Sequence, residues 1–118
     1  MMPDFRKTLV YVSKKSGERK ELNCIIVIIV DEETEEVLMQ GFMDQIAWDK
    51  TQKTNIVHFW STNRDELWRK GATSGNEMEV VSQYLDCDCD SVLIGVRVKG
   101  NGVACHTGKR SCFWHNVS

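Results

Sequence analysis

Cys24-Ile25-Ile26-Val27-Ile28-Ile29-Val30 is an unbroken apolar run, rich in β-branched residues. Side chains of a strand alternate between two faces, so a strand with one wet face alternates polar and apolar residues. This run does not alternate. It reads as the central strand of a sheet, beginning at Leu22 and ending at Val30. It is also far too short to span a bilayer, and the charged N-terminus lacks a secretory apolar region, which points to a cytoplasmic protein. Cys24, isolated in apolar surroundings, reads as a small buried hydrophobe.

Working outward, residues 8–12 form a strand joined to the central run by a charged turn, residues 14–20, around Gly17. Residues 31–36 are an acidic, solvated turn, and residues 37–43 return as a strand. Asp44 can cap a short helix running through Lys53, with Ile46 and Ala47 turned inward and Trp48 on either side. Residues 55–60 are strand-like. Thr62-Asn63-Arg64-Asp65 fits a capping box with Asp in place of Glu, and a helical turn there puts Arg64 and Trp68 on one face. Residues 77–85 and 91–98 read as two more strands, followed by a glycine turn over residues 99–103. At least six strands and one or two short helices give an α+β, mainly β fold: a small single domain over residues 1–118 with a mixed or antiparallel sheet. Residues 1–20 form an N-terminal segment of that domain.

The chain has 118 residues and a net charge of −2, from 15 Lys and Arg against 17 Asp and Glu. That length holds one core, and a complicated site in so short a chain is a candidate for completion by a second subunit. The charge balance excludes nucleic-acid binding through a broad basic surface. Five cysteines are an odd number, and in a reducing compartment thiols at these spacings suit metal better than a disulfide framework.

Asp86-Cys87-Asp88-Cys89-Asp90 alternates three carboxylates with two thiols. In an extended strand Asp86, Asp88 and Asp90 line one side, and Cys87 and Cys89 the other. Oxygen-only ligation suits Mg²⁺, whereas thiolate suits Zn²⁺. Three like charges on one face are destabilising unless a cation neutralises them; the plainer alternative is a solvated turn. Cys105 and Cys112 form a second pair of thiols, bracketing His106-Thr107-Gly108-Lys109-Arg110-Ser111. With no C-x-x-C, zinc-ribbon and thioredoxin readings fall away, and the H-x-E with P-C-x-x-C signature of nucleobase deaminases is absent. Gly102 to Lys109 fails as a phosphate-binding P-loop on glycine spacing and on Arg110. What remains is Cys87 with Cys105 and Cys112, Cys89 being a further possible ligand. Three thiolates leave zinc one open position, the arrangement of a catalytic site. Arg69-Lys70-Gly71-Ala72-Thr73-Ser74-Gly75-Asn76 sets two cations before small hydroxyl and glycine residues, either a phosphate-contacting loop or an ordinary turn.

Phe59-Trp60-Ser61, Leu67-Trp68 with the following loop to Asn76, Asp86-Cys87-Asp88-x-Asp90 and the segment from Ala104 to Phe113 closely resemble phosphoribosyl-AMP cyclohydrolase, a family of histidine biosynthesis. The resemblance extends upstream through Val37-Leu38-Met39 and Gly41-Phe42-Met43. It implies a hydrolase that opens the adenine ring of 1-(5-phosphoribosyl)-AMP between N1 and C6. By position it implies Zn²⁺ on Cys87, Cys105 and Cys112, Mg²⁺ on Asp86, Asp88 and Asp90, and an intertwined homodimer whose zinc site takes ligands from both subunits. Departures are Cys89, usually a non-thiol residue, Ala72 where Glu is frequent, and Gly41-Phe42-Met43-Asp44 for Ala-Tyr-Met-Asn. The chain ends soon after Cys112, and a monofunctional enzyme is expected.

The chemistry of that reaction gives the remaining residues roles. Substitution at N1 leaves C6 electron-poor, and zinc acidifies the attacking water. A three-thiolate site acidifies it less than a three-histidine site, so a nearby base is expected, and His106 is the candidate catalytic residue. Arg64, Arg69, Lys70, Lys109 and Arg110 are the cations for two 5′-phosphates, with Thr73, Ser74 and Ser111 as hydrogen-bond donors. Trp68 either stacks on the purine or belongs to the core. His58 and His115 are structural or exposed. The competing classes are a non-catalytic zinc-binding dimer module, with a closed four-ligand site using Cys89, and a redox sensor with reactive exposed thiols.

Overall fold

The computed structural model describes residues 1–118. Two short strands, β1 (Thr8–Val12) and β2 (Arg19–Asn23), pair into an antiparallel hairpin. The main sheet is built from β3 (Ile25–Asp31), β4 (Val37–Met43), β5 (His58–Ser61), β6 (Glu66–Arg69), β7 (Met78–Leu85) and β8 (Ser91–Val98). Their spatial order is β6-β5-β4-β3-β8-β7. Only β3 and β8 run parallel, so the sheet is mixed. The fold is a small, mostly β single domain with one helix, α1 (Gln45–Thr54).

The apolar run is indeed central, between β4 and β8, but it is not one strand from Leu22. Asn23 ends β2 and Ile25 starts β3. Cys24, buried between them, donates its amide to Lys7 O at 3.1 Å and carries the chain from one sheet to the other. Nor is β3 covered on both faces. Ile25, Val27 and Ile29 are fully buried, whereas Ile26 is 42% exposed. Register puts Phe42 beside Ile26, and Ile28 beside Leu93, which faces Tyr84 in turn. Isoleucine thus occupies both a core face and an open apolar face, which is why alternation was invisible in the sequence.

The core face is closed by α1, whose Ala47, Trp48 and Thr51 are buried. The helix starts where Asp44 accepts the amide of Ala47 at 2.8 Å and stops at Asn55, left-handed at φ 61°. Ile46 points outward, 56% exposed, and Trp48 takes the inward place. Phe59 lies across β4 at Gly41. A Cβ there would meet Phe59 Cδ1 at 2.6 Å, so glycine at this position makes room for the ring.

No helix forms over residues 62–65, which are the turn of the β5–β6 hairpin. Asp65 sits there at φ 59°, and its carboxylate accepts from Tyr11 Oη at 2.5 Å. Strand pairing of Phe59 with Trp68 outweighs the local capping pattern. Arg64 still meets Trp68, its guanidinium carbon 5.5 Å from the ring centroid, but across a hairpin end rather than along a helix.

Candidate functional site

The loop after β6 and the loop after β8 fold toward each other at one end of the sheet. Gly71 opens the first at φ 85°, where a Cβ would lie 2.3 Å from the Glu77 amide nitrogen, so only glycine fits. Gly75 N donates to Gly71 O at 2.8 Å and closes the turn. Asn76 is buried, and its Oδ1 accepts from Asn101 N at 3.0 Å, which ties the two loops together. Asn76 ends the loop motif, but its partner is 25 residues away and no local pattern gives it a role.

Between the loops lies an open cleft of about 380 Å³. It brings together Arg64, Trp68, Lys70, Thr73, Ser74, Cys105 and His106. Lys70 is only 8% exposed; its ammonium donates to Ala104 O at 2.5 Å and stands 5.0 Å from the Trp68 centroid. Burial pulls its pKa below the ordinary lysine value, and the nearby Cys112 and Cys105 sulfurs work against that pull. Trp68, half-buried, also packs on Phe59 with centroids 5.8 Å apart, so it is both core wall and cleft lining. His106, Thr73 and Ser74 are exposed at the cleft.

Cys105 is buried and accepts the Thr107 hydroxyl at 3.0 Å. That hydrogen bond, with a second from the Thr107 backbone, lowers its pKa to about 7. Cys112 is next to it and exposed, its amide bonded to Leu38 O at 2.7 Å, and partial desolvation followed by the Cys105 contact raises its thiol. The two sulfurs are a neighbouring pair of soft donors with unequal proton affinity, a donor set that suits a soft divalent cation.

The other cations are engaged elsewhere. Arg69 pairs with Glu77 at 3.3 Å, and Lys109 sits 5.4 Å from the Trp114 centroid. Arg110 bonds Asp31 at 2.7 Å and Glu36 at 2.6 Å, fastening its loop to the β3–β4 turn. Ser111 gives its hydroxyl to Val37 O at 2.7 Å. His58 is buried with Nδ1 2.8 Å from Ile56 O, and His115 stacks on Trp114.

Residues 86–90 are the turn between β7 and β8, not an extended strand, and Cys89 is left-handed at φ 63°. The carboxylates converge through curling rather than alternation. Asp86 Oδ1 accepts from Asp90 N at 3.0 Å and Ser91 N at 3.1 Å. One oxygen from each of Asp86, Asp88 and Asp90 then lies within 4.8 Å of the others. Asp90 is 8% exposed, and the Lys7 ammonium lies against its Oδ2. A buried carboxylate with spare lone pairs among two others is a donor set that suits a hard cation.

Cys87 is exposed on this acidic turn and forms no ligand-distance cluster with Cys105 and Cys112. Asp90 O bonds Ile26 N at the start of β3, whereas Cys112 N bonds Leu38 O beside its end. Leu38 falls at the irregularity between Ile29 and Val30, so three to four strand rises separate those levels, about 10–13 Å at ~3.3 Å per residue. The acidic turn that carries Cys87 and the segment that carries Cys112 are therefore fastened toward opposite ends of β3. Two thiolates on one zinc stand no more than about 4.6 Å apart, twice a Zn–S bond of ~2.3 Å.

The model of the phosphoribosyl-AMP cyclohydrolase family matches residues 39–114, most of the chain. It belongs to the phosphoribosyl-AMP cyclohydrolase family. Relatives with that name include one from Bacillus cytotoxicus, 50% identical over 90 residues, which cover 76% of this chain and 87% of the relative. One from Clostridium botulinum (strain ATCC 19397 / Type A) is 48% identical over 103 residues, covering 87% and 92% of the two chains. One from Methanosarcina acetivorans is 46% identical over 97 residues, covering 82% and 79%. The cyclohydrolase match takes in α1, both cleft loops and the acidic turn, while Lys7 and the β1–β2 hairpin precede it.

Proposed function

We propose that this chain hydrolyses the N1–C6 bond of the adenine ring of 1-(5-phosphoribosyl)-AMP, giving the 5-[(5-phosphoribosylamino)methylideneamino]imidazole-4-carboxamide nucleotide of L-histidine biosynthesis. The carrying observation is the cleft, in which cations, hydroxyls, an indole, a histidine and a thiol of lowered pKa meet in a member of this family. The enzyme works in the cytoplasm as a Zn²⁺- and Mg²⁺-dependent homodimer. All five cysteines are free, in keeping with a reducing compartment, and no helix is long and apolar enough to cross a membrane.

Cys105 and Cys112 of one subunit and Cys87 of the other hold zinc, and Asp86, Asp88 and Asp90 hold Mg²⁺. Support for a shared zinc site is the separation of Cys87 from the thiol pair along β3. Support for the dimer itself is the open apolar face around Ile26, Leu93 and Tyr84, three side chains that a second copy would remove from water. Bound zinc supplies Lewis acidity that brings the pKa of water toward neutrality.

The protein's own groups do the rest. Trp68 presents its indole to the purine, and Arg64, the exposed cation on that ring, takes a 5′-phosphate with Thr73 and Ser74 as donors. Arg69, Lys109, Arg110 and Ser111 reach the substrate only after leaving their present partners. Lys70 holds a positive charge against the thiol pair and offsets its negative charge. His106 accepts the proton of the attacking water as oxygen bonds to C6, and returns it to N1 as the C6–N1 bond breaks.

Ring opening followed by ultraviolet absorbance tests this reading. Activity should vanish on chelation and return only when Zn²⁺ and Mg²⁺ are both restored. A folded, zinc-loaded dimer without turnover would overturn it.

A further inference from the structure

We infer that Lys7 is a tethered counter-cation of the acidic turn, which holds the place of the divalent ion and must be displaced for that ion to bind. The inference rests on the reading of Asp86, Asp88 and Asp90 as a cation site and adds a competitor from within the chain. Lys7 Nζ lies against Asp90 Oδ2 and 3.9 Å from Asp88 Oδ2. Asp90 is the most buried of the three carboxylates, its side chain 9% exposed, and Lys7 is the cation against its Oδ2.

The backbone around Lys7 is fixed. Lys7 O accepts from Cys24 N at 3.1 Å, and Asp4 N donates to Cys89 O in the acidic turn at 2.7 Å. The side chain, in contrast, is 70% exposed. The ammonium is thus delivered by a flexible stem from an anchored main chain, and it can swing to solvent without unfolding anything. A small cleft of about 300 Å³, lined by Asp4, Arg6, Lys7, Asp88 and Asp90, gives an incoming ion its approach. Arg6 does not compete, because it is bonded to Asp4 at 2.6 Å. The arrangement keeps three carboxylates tolerable in the metal-free state and weakens metal binding by the strength of one ion pair.

Zinc-loaded, magnesium-free protein titrated with Mn²⁺ and read by electron paramagnetic resonance, with Mg²⁺ as competitor, tests the idea without an activity measurement. Lys7→Met should bind Mn²⁺ on the order of fivefold more tightly, the scale of one largely exposed ion pair. Lys7→Arg, which keeps the charge, should bind close to wild type. Magnesium-free Lys7→Met should also melt lower than wild type and gain more from added Mg²⁺. Equal or weaker Mn²⁺ binding by Lys7→Met would overturn the inference while leaving the cation site standing. Absence of Mn²⁺ binding in wild type and Lys7→Met alike would overturn the magnesium reading, and the inference with it.

Discussion

At the residue scale, two clusters hold protons in unequal ways. The Thr107 hydroxyl bond keeps Cys105 at about 7, while the thiol of its exposed neighbour Cys112 is pushed up by partial desolvation and by Cys105 itself. The thiolate is the form that alkylates, so in zinc-free protein the rate at Cys105 should rise with pH through about 7. Thr107→Val should move that midpoint up toward the ordinary thiol range, read by iodoacetamide labelling and peptide mass spectrometry. In the acidic turn, Asp88 is raised chiefly by its hydrogen bond with Asp90, and then by burial and Asp86. A carboxyl whose pKa is raised by folding destabilises the fold once it ionises. Asp88→Asn should therefore raise the Tm of magnesium-free protein at pH 7. The gain should disappear as pH falls through the folded pKa of Asp88, and Mn²⁺ binding should be lost.

At the scale of elements, the site depends on two loops, and the core of the sheet that carries them on one helix. Gly71→Ala places a methyl group against the Glu77 amide at a positive φ, so it should cost at least about 1 kcal/mol from backbone conformation alone. Because the same loop carries Thr73 and Ser74, KM should rise with it, as steady-state kinetics and urea unfolding can show. Asp44→Ala should remove about 1 kcal/mol of stability through the lost cap of α1, whereas Asp44→Ser should retain most of it. That cap was legible because its geometry is local: Asp44, Ala47 and the helix end at Thr54 lie within one stretch of chain. The boundaries of β8 were equally legible, since glycine and acidic turns bracket it. Thr62 to Asp65 misled because a capping pattern carries no information about the partner strand, and β5 supplied one. The acidic turn was legible as a cluster but not as a shape, since alternation and curling both bring its carboxylates together. Asn76 with Asn101, and Lys7 with Asp90, are contacts between distant segments, and no window of sequence contains both partners.

At the scale of the whole molecule, the separation of Cys87 from Cys105 and Cys112 turns a ligand assignment into a statement about assembly. The central strand β3 sets the distance: the acidic turn is fastened at its start, and the thiol pair beside its end. If zinc needs all three thiolates, each site draws on two chains, and a two-fold dimer has two such sites. Cys87→Ser and Cys105→Ser homodimers should then both be inactive, since every site lacks one ligand. Mixing them under subunit-exchange conditions changes the outcome. In a heterodimer, the intact Cys87 of one chain meets the intact Cys105 and Cys112 of the other at one site, and both defects collect at the second. Random exchange of equal amounts makes half of the dimers mixed, each with one of two sites whole, so activity should recover to about a quarter of wild type. Zinc content, measured on the separated heterodimer, should be about one tight ion per dimer. Mixtures that stay inactive despite verified exchange would mean that each chain's zinc ligands come from itself, and Cys87 would leave the ligand set.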